Sequence, residues 1–261
     1  MSAPSNAANA HWSASPFPLQ SIPDKPEDVP VDFYHSAVVM ACIHNLMTRG
    51  LNSIYKHAPI VALRGTAKDK SDFITFALAW YGGLHAHHTG EEQWFFPELE
   101  HATNNAGLMK ANVDQHEVFH KPLDEFNAYF VEVRKKPETL DASRVTELIE
   151  AFAIPLLTHL NDEIPTLFEL GRRFPDVPIK QIEEAHGKRM AATVSKTLVM
   201  PAFFGNADRA FAPTQCVGVF PPMPPIVRFL TKWVFSWRYR GAWRFSAATF
   251  DMDLKPNMVL L

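Results

Sequence analysis

Pairs of metal-ligating residues, each on the apolar stripe of a separate helical segment, constrain this chain more than any other feature. His87 and Glu91, His116 and His120, and His159 and Glu163 are each four residues apart, and His44 stands alone on an earlier segment. Residues four apart lie one turn above each other on a helix, so the members of a pair project side by side. A solvated helix face is the ordinary place for such pairs. Here they fall among apolar residues that recur at spacings of three and four, the pattern of a buried helix face.

The first segment is "VDFYHSAVVMACIHNLMTRGLNSIYKHAP", with Ala37, Met40, Ala41, His44, Met47, Leu51 and Ile54 on one face and Pro59 and Gly65 at its end. The second is expected to start near Ser71 or Asp72, with Phe73, Phe76, Trp80, Leu84, His87, Glu91 and Trp94 inward. Asn104, Asn105 and Gly107 mark a turn. The third segment carries Met109, Val113, His116, His120, Leu123, Phe126 and Phe130 inward and is expected to bend at Pro122. The fourth, from about Ala142, carries Leu148, Phe152, Leu156, His159, Glu163 and Leu167, with Pro155 and Pro165 on either side of His159. His85, His88 and Glu92 fall off the stripe and read as flanking or surface groups. His35, His57 and His101 fall near helix ends and read as capping or solvated.

Four long amphipathic segments joined by short loops predict an all-α protein, an antiparallel four-helix bundle over residues 31–172. Residues 1–30, rich in Ala, Ser and Pro, read as an arm without its own core. Residues 173–261 begin with one more helix, followed by Pro-rich and then aromatic, basic stretches. This extension is too apolar to float free and is expected to wrap back over the bundle.

Four stripes facing one axis would gather five imidazoles and two carboxylates. Burying such groups unpaired is expensive, and a metal centre removes the difficulty by using neutral imidazole and anionic carboxylate together. The chain has twelve His but only two Cys, Cys42 and Cys216, so nitrogen and oxygen must serve as ligands. Two isolated Cys exclude a disulfide scaffold and a Cys-rich zinc or iron–sulfur site, and they suit a reducing, cytoplasmic compartment. Seven ligands are too many for one tetrahedral zinc. They suit two six-coordinate ions sharing carboxylates, and a thiolate-free set favours non-haem iron, with manganese second.

A net charge of −3 gives no field for nucleic acid. The start of the chain lacks a basic stretch followed by an apolar run, and no run of about 18 apolar residues predicts a transmembrane helix. Near the end, Arg228, Lys232, Arg238, Arg240 and Arg244 interleave with Trp233, Trp237, Tyr239 and Trp243. Such a segment could suit a membrane surface or single-stranded nucleic acid. We expect instead a packed tail whose Arg side chains lie over aromatics and reach acidic groups.

The residues "HAHHTGEEQWFFPELE", "DQHEVFHKPLDEF" and "HLNDEIPTLFEL", preceded by "CIHNLMTRGLNSIYKHA", resemble the hemerythrin-like (HHE cation-binding) family over roughly residues 32 to 172. The resemblance implies two iron ions in a helix bundle. His44 and His87 look like ligands of an ion that keeps an open position, and His116, His120 and His159 like ligands of the filled one. Glu91 and Glu163 look like the bridging carboxylates. There is one departure. In the invertebrate oxygen carriers the last carboxylate is an Asp five residues after its His, a place held here by Ile164. Glu163 is the candidate instead, which bears more on oxygen transport than on iron binding. Asp162 is a weaker substitute, because it points about 100° away around the helix. The resemblance implies dioxygen as ligand, in a carrier, store or sensor. Its alternative is a diiron oxidase or oxygenase, with a small organic substrate in a pocket covered by the extension.

Overall fold

The computed structural model describes residues 15–211, 220–221 and 223–255. Cys216 and the start of the N-terminal arm lie outside them. The described chain is helical: α1 (Val31–Arg64), α2 (Ala67–Gly90), α3 (Phe96–Thr103), α4 (Lys110–Val133), α5 (Ala142–Arg173), α6 (Ile179–Thr193), α7 (Val199–Asn206) and α8 (Pro225–Trp233). There is no strand among the described residues, only an isolated antiparallel bridge between Ala248 and Leu254.

Local signals account for the boundaries. α2 begins earlier than Ser71, because Thr66 and Asp69 form a capping box: the Thr66 hydroxyl accepts from the Asp69 N–H, and the Asp69 carboxylate accepts from the Thr66 N–H. Asp141 caps α5 by accepting from the N–H groups of Ser143 and Arg144. A π-helical turn, Glu91–Phe95, joins α2 to α3, and in it the Phe96 N–H reaches back to the Glu91 carbonyl. Pro97, next in the chain, has no N–H to give, so a regular α-helical ladder is interrupted there in any case.

α1 packs on α2 and α5, and α4 packs on the same two helices, so the four close into a ring. α1 and α2 approach closely at Gly50, where a Cβ would lie 2.5 Å from Cδ1 of Trp80. The Trp80 indole donates to the Met47 carbonyl at 2.9 Å. The ring holds two separate apolar clusters. One gathers Met47, Leu84, Phe119 and Leu160; the other gathers Met40, Phe95, Met109 and Leu167. α5 passes from one cluster to the other between Leu160 and Ile164, the interval of Glu163; α2 with the π-helical turn after it does so between Leu84 and Phe95, the interval of Glu91. His116 stands between Met109 and Phe119, and the last α1 member of the second cluster is Ala41, three residues before His44. The polar residues of the stripes therefore form a slice between two apolar layers.

Residues outside the ring pack on it. Asn52 exchanges two hydrogen bonds with the backbone of Phe17, and Asn45 does the same with Gln20, so the arm lies along α1. α6 packs on α1, α2 and α3, and α7 on α1 and α2. Asp208, just past α7, forms a buried ion pair with Arg49 at 3.2 Å. Phe245 is buried against Phe73, Phe76 and His57. α1 is consequently buried on almost every side, including Val38, Cys42 and Leu46 off the predicted stripe. His57, expected to be solvated or capping, is buried as well. The aromatic, basic tail meets its expectation in part. Trp243 is buried and Arg244 pairs with Asp69 at 2.6 Å, but Trp233 and Trp237 stand exposed.

Candidate metal centre

Six of the seven predicted residues meet in the polar slice: His44, His87, Glu91, His116, His159 and Glu163, all buried. They arrange as two adjoining groups. His44, His87 and Glu163 form one, and His88, Glu91, His116 and His159 form the other, with one donor atom from each residue lying within 4.8 Å of the rest of its group. Glu91 stands between the groups. One of its oxygens is 3.1 Å from His87 Nε2 and the other 3.7 Å from His116 Nε2.

His88 is the residue that stripe reading missed, and the assignment to a flanking or surface role is corrected here: it is buried. Its ring centroid lies 4.5 Å from that of His116 and 5.2 Å from that of His159. Successive residues of an α-helix are about 100° apart, so a single line through His87 excludes His88, but a helix packed against two neighbours buries an arc of about that width. Glu91 falls about 40° from His87 and about 60° from His88, between the two, which is why one carboxylate reaches both groups.

His120 sits differently. α4 buries Asn112, His116, Phe119, Leu123, Phe126, Phe130 and Val133, a seam on which His120 is a flank. Its side chain is 42% exposed, and its Nε2 lies 3.8 Å from Glu92 Oε1. With Glu92 and His116 it makes a third, half-exposed group of potential ligands. Glu92, also read as flanking, accepts from His116 Nδ1 at 2.7 Å.

The surrounding hydrogen bonds fix the imidazole tautomers. His44 Nδ1 faces the Leu160 carbonyl at 2.9 Å, an acceptor, so Nδ1 carries the proton. Glu92 does the same for His116. His159 Nδ1 lies 3.2 Å from Gln115 Oε1, and the Gln115 amide is itself oriented by donating to Asp162 at 2.8 Å. When neutral, these three imidazoles present Nε2 lone pairs to the interior. Two of them, on His116 and His159, face each other at 2.9 Å. Lone pairs at that distance repel unless a cation lies near both.

The other inward atoms tell the same story. His44 Nε2, His87 Nε2, both His88 nitrogens and all four oxygens of Glu91 and Glu163 are buried without a hydrogen-bond partner. His44 Nε2 and Glu163 Oε2 are 3.1 Å apart, yet their alignment makes no hydrogen bond. The atoms converge on common points rather than on one another, as donors around ions do. The residues present therefore fit metal ions, and the group is able to bind them.

Burial governs the protonation of the cluster. It holds His87 and His88 well below the ordinary imidazole range, the neighbouring imidazoles adding to it. Burial likewise lowers His116 and pushes His159 down to about 2. Glu91 is raised well above the usual carboxylate range by burial, then by Glu163 and Glu92. Neutral imidazoles are in the form that coordinates an ion, whereas the Glu91 carboxyl would have to give up its proton to do so.

α6 closes one side of this layer. His186 sits against Phe95 and Trp94, with ring centroids 5.5 Å and 6.4 Å away, and burial pushes it down to about 4. It can approach because residue 90 is glycine: a Cβ there would lie 2.5 Å from Met190 Sδ and 2.8 Å from His186 Cε1.

Residues 42–170 match the hemerythrin HHE cation binding domain, and the chain belongs to that family. It is 30% identical over 254 residues to the "Dimeric xanthone biosynthesis cluster protein R11" of Cryptosporiopsis sp. (strain 8999). That similarity spans 96% of this chain and 93% of the other. No solved structure matches it significantly. Among the described residues, no helix is long and apolar enough to cross a membrane.

Proposed function

We propose that this chain holds two metal ions, iron before manganese, and binds dioxygen at the pair. His44, His87 and Glu163 would hold one ion. His88, His116 and His159 would hold the other, and Glu91 would be shared. In this reading His120 lies with Glu92 at the rim, and the ring of α1, α2, α4 and α5 is the bundle that carries the ligands. The observation that carries the proposal is the inward set of lone pairs, locked by Leu160, Glu92 and Gln115 and left without partners. An oxygen- and nitrogen-rich set without thiolate suits ferrous ions, which would supply the electrons for binding dioxygen.

The chain's own residues set the conditions. Phe95, Phe96 and Phe119 are buried around the site and exclude water. A half-open, largely apolar pocket of about 20 Å³ lies between α1, α2 and α7, lined by Met47, Trp80, Leu84, Val199 and Phe203. Met47 follows His44 by one turn and Leu84 precedes His87 by one turn, so the pocket lies about one helical turn from the first group. Its size suits a molecule as small as dioxygen.

A second reading, dioxygen-dependent oxidation of a small organic molecule, is favoured by the relative whose name places it in a xanthone biosynthesis cluster. α6 then serves as the cover of the reaction site. Metal analysis and an anaerobic optical spectrum, repeated after admitting air, test the proposal. We expect two metal ions per chain and a new visible band that vanishes under vacuum. Irreversible bleaching, accelerated by an aromatic substrate, selects the second reading. A chain that retains no iron or manganese under either condition overturns both.

A further inference from the structure

We infer that α8 and the turn after it form a docking face for an anionic lipid surface. This helix is mounted inside out. Its polar Thr231, together with Ser236 just beyond it, is buried, whereas Ile226, Phe229, Trp233, Val234 and Trp237 are 52–68% exposed. The large exposed residues Ile226, Phe229, Trp233 and Trp237 recur at spacings of three and four, so they make one stripe along the helix and its 3-10 continuation, Phe235–Tyr239. A helix with such a stripe lies in the plane of a membrane interface, where Trp rings settle at headgroup level.

Charge selects the occupant. The chain as a whole carries −3, yet no acidic residue occurs between Asp208 and Asp251, a stretch that includes Arg228, Lys232, Arg238, Arg240 and Arg244. Asp251 engages Lys232 at 2.6 Å, and Asp69 and Asp72 engage Arg244. Arg238 and Arg240 have no carboxylate partner among the described residues. They lie instead over the rings of Tyr239 and Trp237, with guanidinium carbons 5.3 Å and 5.0 Å from the ring centroids. Arginines laid along aromatic rings at the edge of an apolar stripe can follow those rings to the interface and meet phosphates there. The face is separate from the metal centre and does not depend on it.

Co-sedimentation of the full chain with vesicles tests this, using phosphatidylcholine alone and phosphatidylcholine mixed with phosphatidylserine. We expect binding to the mixed vesicles, weakened by salt, with a blue shift of Trp emission. Trp233→Ser with Trp237→Ser should reduce it at least about tenfold, a loss of roughly 1.4 kcal/mol. Arg238→Glu with Arg240→Glu should abolish the preference for the anionic lipid. Because all four positions are exposed, the variants should keep the wild-type circular dichroism and metal content. Equal binding to both vesicles, binding unchanged in the variants, or no binding overturns the inference. If the Trp variant instead breaks a concentration-dependent dimer of unbound protein, the face belongs to a second copy of the chain.

Discussion

Glu163→Met should stabilise the protein without metal and destabilise it with metal, and that reversal of sign is a direct test of the centre. Both Glu163 oxygens are buried and have no hydrogen-bond partner. An unsatisfied buried acceptor costs ~1–3 kcal/mol, so two of them put the penalty in the metal-free chain at roughly 2 kcal/mol, taking the low end. Met is unbranched like Glu, and its thioether asks for no hydrogen bond. The neighbours on the same face, Leu160 and Leu167, are apolar and buried. His44 loses little, because its Nδ1 keeps the Leu160 carbonyl. In chelator the variant should therefore be about 2 kcal/mol more stable, which for a chain of this size raises Tm by ~4–8 °C.

With metal the order inverts. A ligand at a thousandfold excess over its Kd stabilises the folded state by ~4.1 kcal/mol, and a variant that lacks a coordinating carboxylate forfeits most of that, more than the roughly 2 kcal/mol it gained in chelator. Differential scanning calorimetry of both proteins, anaerobically, in chelator and in excess ferrous iron, reads the four Tm values. If Glu163→Met melts below wild type in chelator, the carboxylate is a satisfied structural group and the reasoning from orphaned atoms is wrong. If iron raises both proteins equally, Glu163 is not a ligand.

Other expectations follow from the same geometry. His88→Ala should lower iron content and affinity by more than His120→Ala does, read by metal analysis after gel filtration; the opposite order restores His120 as a ligand. Gln115→Leu removes the acceptor that orients His159, and loss of such an outer partner costs ~10–100-fold in metal affinity, measurable by competition with a chromophoric chelator. Metal binding at a pH below the raised Glu91 pKa should release a proton from that carboxyl, and near neutral pH few from His87, His88, His116 and His159, whose lowered pKa values leave them already neutral. Affinity should thus climb with pH through the raised Glu91 value, and calorimetry in buffers of different ionisation enthalpy should show this release vanish in Glu91→Gln. The same imidazoles have folded pKa values below their unfolded value of about 6.5, so the stability they confer on the metal-free chain is lost as pH falls below that value, where the unfolded chain binds the extra protons. A metal-free protein whose Tm holds constant from neutral pH to about pH 5 contradicts this.

How much of this was legible depended on which residues face one direction. The stripes through His116 and Glu163 could be read because a helix buried on one side repeats its apolar residues at three and four. α1 resists such a reading: Val38, Cys42 and Leu46 are buried off the stripe because α6, α7 and the segment around Phe245 cover what would be its wet face, and no periodicity announces partners so far along the chain. His88 was hidden for a related reason, since a stripe is a line and the inward arc of α2 is wide enough for two neighbours. Thr66 and Asp69 did carry a local signal, a capping box, that marks where α2 begins. Gln115 and Asp162 carried none. Each stands one residue before a predicted ligand, His116 or Glu163, and so points about 100° away from it on its own helix. The two meet only because α4 and α5 pack side by side, and there they orient His159. The ligands of such a centre are written along single helices, whereas the bonds that aim them are written between helices. A sequence can therefore announce a metal site several residues before it discloses which nitrogen of each imidazole faces the ion.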